Sequence, residues 1–210
     1  MSSTATNTLS LALPKGRLTE QVQEHLEKRG VSIQFDKRKL VAYDREQRIK
    51  VLLVKNSDLT TYVHHGIAGL GVCGDDVLIE SGHNLVKLHQ FTFGGTRMCL
   101  AARQGTAAPK GGSITIATSY VEFVRQYFQE QDQSVKIIRL NGSVELAPIL
   151  GLAPYIVDLV ETGGTLKANN LEVVQELAPI RVHLVANPGY YKLHYREIDR
   201  LVSLISSDPA

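Results

Sequence analysis

The chain has 210 residues, of which 43% are hydrophobic, 21% charged and 6% aromatic, and 23 Lys and Arg against 21 Asp and Glu leave a formal net charge of +2. This balance excludes an intrinsically disordered chain, which would hold far less Val, Leu and Ile, and a dedicated nucleic-acid binder, which would gather its basic charge into a run or stripe. The length allows one large domain or two small ones, each able to bury its own core.

In chain order, Leu9, Leu11 and Leu13 alternate with small residues and predict a strand from Thr8 to Leu13. After Pro14-Lys15-Gly16-Arg17 the period becomes helical, with Leu18, Val22 and Leu26 on one face and Gly30 as a left-handed stop. Val31 to Tyr43 reads as extended and carries the basic cluster Lys37-Arg38-Lys39. Ile49 to Lys55 has the aliphatic texture of a buried parallel strand. Ser57 or Asp58 is placed to cap a short helix through Leu59, Tyr62 and Val63 that ends at Gly66, and an apolar run follows at Leu70 to Cys73.

The second half repeats this order. Ser113 to Thr118 reads as a strand, and Ser119-Tyr120-Val121-Glu122 as a capping box opening a helix with Tyr120, Val124, Tyr127 and Phe128 on one face. Val135 to Leu140 is the next strand, Asn141-Gly142-Ser143 turns into a helix from Val144 to Leu150 that Pro148 kinks or ends early, and Tyr155 to Val160 is a further strand. Leu171 to Leu177 suits a helix or a strand. Arg103 to Gly112 reads as a mobile loop, Gln90 to Gly95 as a crossover, and Arg181 to Ala186 as a returning strand that brings the C-terminal helix onto the first lobe. The expected fold is therefore α/β, with two lobes of mainly parallel sheet, residues 1–92 plus 180–210 and residues 93–179. Ligands would bind between them.

Cys73 and Cys99 lack metal or redox spacing and read as buried thiols. Met1 to Ser10 lacks the basic-then-apolar order of a signal peptide, and no long apolar run occurs, so a cytoplasmic chain with no membrane partner is expected. Adjacent His64 and His65 do not share a helical face, the other histidines show no metal-binding motif, and no metal site is assigned. Nucleophile-elbow and Walker A sequences do not occur.

Chemistry concentrates in Asp158-Leu159-Val160-Glu161-Thr162-Gly163-Gly164-Thr165, where an apolar strand runs into acids and a Gly turn. Two glycines let backbone N–H groups converge on an anion, the threonine hydroxyls add donors, and Asp158 and Glu161 can accept hydrogen bonds from sugar hydroxyls. The implied ligand is a phosphorylated ribose; the plainer reading is an ordinary turn with solvated acids. Lys15 and Arg17 flank Gly16 at a strand end, where they can reach a polyphosphate or simply face water, and Arg38 and Lys55 add cations. Gly69-Leu70-Gly71-Val72-Cys73-Gly74 matches a dinucleotide fingerprint, but a short helix precedes it and Asp75-Asp76 interrupts its exit, which argues against that use.

With these pieces assembled, the chain resembles the ATP phosphoribosyltransferase family over essentially its whole length. The resemblance rests on Leu13-Pro14-Lys15-Gly16-Arg17-Leu18, on Asp58 through Asp76, and above all on Gly142 to Pro148 followed by Asp158 to Leu166. It implies two α/β lobes like those of type II periplasmic binding proteins, with the active site in the inter-lobe cleft. It also implies transfer of phosphoribosyl from phosphoribosyl pyrophosphate to N1 of ATP, with Mg2+ accompanying the substrate, as the first step of histidine biosynthesis. By the same resemblance Thr162, Gly163, Gly164 and Thr165 would hold the 5-phosphate, and Asp158, Glu161 and Glu145 the ribose. Lys15, Gly16, Arg17 and Arg38 would face the polyphosphate and pyrophosphate, Gly74 and Asp76 would border the nucleotide, and Lys15, Arg38 and Lys55 would serve catalysis. Lys55 stands where relatives commonly have Arg, which turns a bidentate contact into a point charge.

The length implies the short form of the family, a homodimer when alone that joins a histidyl-tRNA synthetase-like regulatory subunit in a hetero-octamer. The competing readings are a non-catalytic two-lobed solute-binding module and a type I base phosphoribosyltransferase.

Overall fold

The structure, a computed structural model, describes residues 8–36, 38–109 and 111–208. Lys37 of the basic cluster, Lys110 of the Gly-rich loop and the residues ahead of Thr8 lie outside them. The chain divides into two compact units, Met1–Gly94 with Arg181–Ala210, and Gly95–Ile180.

In unit 1 the elements are β1 (Leu9–Pro14), α1 (Arg17–Glu27), β2 (Val41–Tyr43), β3 (Ile49–Val54), a 3-10 turn at Asn56–Asp58, α2 (Leu59–His64), β4 (Leu70–Gly74), α3 (Asp75–Ser81) and β5 (Val86–Gln90). The chain leaves for unit 2 with β6 (Thr96–Arg103), β7 (Ile114–Thr118), α4 (Val121–Gln129), β8 (Val135–Arg139), α5 (Leu146–Ile149), β9 (Tyr155–Val160), α6 (Gly164–Ala168) and β10 (Leu171–Ile180). It returns to unit 1 with β11 (Val182–Ala186), α7 (Pro188–Leu193) and α8 (Tyr195–Ser206).

The sheet of unit 1 runs β2-β3-β1-β4-β11-β5, and that of unit 2 runs β10-β6-β9-β7-β8. Both are mixed: β1 pairs parallel with β3 and β4, and β7 with β8 and β9, while the remaining pairs are antiparallel. The two-residue period of β1 sorts its side chains onto two faces. Leu9, Leu11 and Leu13 pack with Val22, Leu26, Ile198 and Leu201, under α1 and α8. Ala12 packs the other way, with Leu59, Val63 and Val77 of α2 and α3. A side chain as thoroughly buried as Leu13 contributes about 1.5 to 3 kcal/mol over leaving it in water. Unit 2 has its own core, in which Cys99, Ala117, Ile156, Val160 and Leu166 meet.

Several local expectations need correction. The side chains of Ser57 and Asp58 do not cap α2; Ser57 Oγ donates instead to Asp58 Oδ1 at 2.8 Å. Tyr120, rather than Ser119, occupies the capping position of α4. The helix expected from Val144 to Leu150 is confined to Leu146–Ile149, with Arg103 Nε donating to the Pro148 carbonyl at 2.8 Å. Between Val31 and Tyr43 the only strand among the described residues is β2. Leu171 to Leu177 is strand, because β10 pairs along β6.

The apolar run at Leu70 to Cys73 is strand β4, which contains Gly71 and ends at Gly74, whereas Asp75-Asp76, expected to interrupt the exit, opens α3. The glycines serve close packing: a Cβ at Gly69 would lie 2.0 Å from Tyr190 Cε1, and one at Gly71 would lie 2.8 Å from Leu59 and Val63 side-chain atoms. A short helix, α2, does precede the segment, and with Gly71 and Gly74 in a strand there is no Gly-rich loop for a dinucleotide, so that exclusion stands.

Candidate active site

In unit 1 the singled-out residues gather at the carboxyl ends of neighbouring strands. Pro14 of β1 sits opposite Val54 of β3, and the Lys15 N–H donates to the Val54 carbonyl at 2.9 Å, so Lys15 and Lys55 leave adjacent strands side by side. Arg17 opens α1 directly behind Gly16. Gly74 ends β4, on the other side of β1. Arg38, held at a φ of 68°, precedes β2, whose antiparallel pairing with β3 starts where Leu40 meets Leu53; that register brings the Arg38 turn to the same sheet end as Lys55. Lys15, Arg17, Arg38 and Lys55 are all exposed. Four cations at one end of a sheet make a field suited to a polyanion.

Asp76 differs from them. It is 4% exposed and its carboxylate accepts N–H groups at the start of α3, its own and that of Val77. Burial pushes its carboxyl above the ordinary range, and the neighbouring Asp75 adds to this. Asp76 thus shapes the turn after Gly74 with its carboxylate directed inward. Burial also pushes the Cys73 thiol just before it up to about 12, which leaves it an inert packing group.

In unit 2 the remaining residues share the carboxyl ends of β7, β8 and β9. Asp158 lies within β9, and Glu161 and Thr162 follow it directly. Gly163, at a φ of 76°, is the left-handed N-cap of α6, a conformation in which a β-carbon would be strained, so the Thr-Gly-Gly-Thr turn needs a glycine there. Glu161, Thr162, Gly164 and Thr165 are exposed. α6 is a helix of five residues, so its macrodipole is small and individual N–H groups and hydroxyls are the available anion donors.

Glu145 precedes α5 and is close enough to Asp158 for its charge to be felt. Burial first, and then the Glu145 charge, raise the Asp158 carboxyl above the ordinary range, while the Leu159 N–H on Asp158 Oδ1 at 2.8 Å opposes them. Two acids near one turn can share a diol, each accepting from one hydroxyl. Between them runs β7, where buried Thr118 Oγ1 donates to the Val157 carbonyl at 2.7 Å and accepts from the Tyr120 N–H at 2.9 Å. Thr118 was not singled out from sequence, because its role follows from the strand order and not from any local motif.

Among the described residues no group of three or more His, Cys, Asp or Glu side chains is placed to hold a metal ion. Among them, too, no helix is long and apolar enough to cross a membrane.

A family model described as ATP phosphoribosyltransferase matches residues 55–207. The ATP phosphoribosyltransferase of Clostridioides difficile is 38% identical over 199 residues, covering 93% of this chain and 96% of that protein. That of Brachyspira hyodysenteriae is 41% identical over 188 residues, covering 88% and 91%. The solved ATP phosphoribosyl transferase (HisG:HisZ) complex from Thermotoga maritima aligns with a TM-score of 0.80 at 38% identity, over 94% of this chain and 96% of that one. The BvgS VFT2 domain of Bordetella pertussis aligns with a TM-score of 0.55 at 15% identity, over 95% and 92%, and shares the fold alone. The fold is that of type II periplasmic binding proteins, and neither the solute-binding module nor the type I base phosphoribosyltransferase is favoured. On the family match and the full-length relatives, the chain belongs to the ATP phosphoribosyltransferase family.

Proposed function

We propose that the clusters described above carry out the family's reaction, moving phosphoribosyl from phosphoribosyl pyrophosphate to N1 of ATP and releasing pyrophosphate, in the first step of histidine biosynthesis. The observation that carries the residue assignment is the turn after β9, where a left-handed Gly163 sits between exposed Thr162 and Thr165 and follows a carboxylate-bearing strand. In this reading the turn holds the 5-phosphate, and Asp158, Glu161 and Glu145 accept from the ribose hydroxyls. Lys15, Gly16, Arg17 and Arg38 receive polyphosphate and pyrophosphate, and Gly74 and Asp76 border the nucleotide.

The adenine N1 lone pair needs no strong base. The barrier lies in building positive charge on the ribose and negative charge on the departing pyrophosphate, so catalysis is a matter of positioning and charge stabilisation. Lys15, Arg38 and Lys55 supply the positive field for the leaving group. Magnesium, brought in with the substrate, would add to the stabilisation of the departing charge.

The Thermotoga maritima neighbour is a HisG:HisZ complex, which supports a regulatory partner for this chain. We take that partner to be a histidyl-tRNA synthetase-like subunit in a hetero-octamer, with the catalytic chain dimeric when alone, and the compartment to be the cytoplasm, in keeping with two buried, unpaired cysteines.

The chain, alone and with its regulatory subunit, should form a phosphoribosyl-ATP chromophore when mixed with ATP, phosphoribosyl pyrophosphate and magnesium. Saturable binding of both substrates without product under either condition would reduce the protein to a binder.

A further inference from the structure

The turn bearing Lys15 is clamped at both polar ends of one peptide. The Pro14–Lys15 peptide donates its N–H to the Val54 carbonyl at 2.9 Å, and its carbonyl accepts the Thr19 hydroxyl. Thr19 acts twice, since its own N–H donates to the Gly16 carbonyl at 3.0 Å. It lies in the first turn of α1 and is 6% exposed, so the hydroxyl is spent inward, on the backbone.

A peptide plane fixed at its N–H and its C=O has little freedom to rotate, and the direction in which the next side chain leaves the backbone is fixed with it. That next side chain is Lys15. The Thr19 N–H also holds the Gly16 carbonyl, a contact that does not involve the hydroxyl. Gly16 itself has a φ of 114°, in the region glycine alone adopts readily, so the turn has a soft point that the clamp stiffens. Removing the hydroxyl would leave the carbonyl of buried Pro14 without this partner.

We infer that Thr19 is a positioning residue, whose hydroxyl acts through the Pro14 carbonyl to aim Lys15 at the phosphate groups of the substrates. This rests on the polyphosphate role proposed above for Lys15. Nothing in the sequence marks Thr19, which reads as one more residue in the first turn of an amphipathic helix; the pairing of β1 with β3 supplies the other half of the clamp.

The test is a kinetic comparison of Thr19→Val, which keeps the shape and deletes the hydroxyl, with Thr19→Ser, which keeps the hydroxyl, each assembled with the regulatory subunit. Thr19→Val should lower kcat/KM for ATP about tenfold or more, and Thr19→Ser should restore most of it. In a Lys15→Ala background Thr19→Val should cost little further, because the group it aims is gone. Full activity in Thr19→Val, no rescue by serine, or an equal loss with and without Lys15 would each overturn the inference. Thermal melts establish that the variants are folded; should the valine chain unfold, Thr19→Ala takes its place. A wild-type chain that forms no product sinks the functional reading, whereas an active wild type with indifferent Thr19 variants sinks only the positioning role.

Discussion

Asp75 and Arg181 hold each other by a reciprocal pair of backbone-directed hydrogen bonds. The Asp75 N–H donates to the Arg181 carbonyl at 3.0 Å, and the Arg181 N–H donates to Asp75 Oδ2 at 3.0 Å. Asp75 Oδ1 takes Lys87 Nζ at 2.5 Å and lies 3.0 Å from His183 Nε2, which makes no directed hydrogen bond there. One aspartate therefore ties the start of α3 to β5 and to the point where the chain re-enters unit 1.

This tie should be visible in acid. Burial opposes ionisation of Asp75, but Lys87, the Arg181 N–H and His183 outweigh it and hold the carboxyl below its ordinary range. A carboxylate lowered in the folded state contributes stability above its unfolded value of about 3.9, and that contribution is lost as pH falls through the folded value. Asp75→Asn should cost about 1 to 2 kcal/mol at neutral pH, with allowance for solvent screening, and its melting temperature should fall less steeply below pH about 4. Superimposable acid limbs for the two chains would show that the charge on Asp75 is idle.

Asp158 shifts the opposite way, and its effect should appear in catalysis. If it accepts ribose hydroxyls as a carboxylate, kcat/KM should fall on the acid side at a pH above the ordinary carboxylate range, where Asp158 takes up its proton. Glu145→Gln removes one of the two influences that raise it and should move that limb to lower pH, whatever it does to the rate itself. A limb that stays in place would separate the two acids.

The anion turn is best probed at its hydroxyl. Thr165→Ala should weaken phosphoribosyl pyrophosphate binding by about 1 to 3 kcal/mol through loss of one charge-assisted hydrogen bond. Titration calorimetry measures this directly, and unchanged affinity would remove Thr165 from the phosphate site.

Arg38→Ala should reduce turnover more than substrate affinity, if its guanidinium meets charge that develops only as the diphosphate departs. Equal losses in kcat and binding would assign it to the ground state.

Gly69 offers a test of packing alone. Tyr190 lies over it, with its hydroxyl accepting the Ser10 N–H at 3.2 Å, and the Cβ of Gly69→Ala would fall 2.0 to 2.3 Å from three of its ring atoms. The ring must move, so the variant should lose about 1 to 3 kcal/mol in urea denaturation. Wild-type stability would mean that Tyr190 relocates freely.

Much of this was legible because it is local. The aliphatic run Ile49 to Val54, the leucines of β1 and the Thr-Gly-Gly-Thr turn declare themselves through residues next to one another. β6 was missed because Met98 to Ala102 is a continuous buried run of modest side chains with no alternation, and only its pairing with β9 and β10 makes it a strand. α3 is not legible in the sequence although Asp75 and Asp76 are good first-turn residues, because directly after the glycine-spaced run they read as its interruption. The gathering of Lys15, Lys55 and Gly74 depends on strand order, which no single segment encodes.

Strand β11 lies between β4 and β5, yet the chain makes it only after all of unit 2. During synthesis, Gly95–Ile180 emerges as one uninterrupted stretch that can close its own core, while the earlier half waits with two open sheet margins until Val182–Ala186 leaves the ribosome. The inserted unit is thus free to mature first. Unit 1 acquires last the strand that joins β5 to the rest of its sheet, so truncation near the C-terminus would harm the beginning of the protein more than its middle.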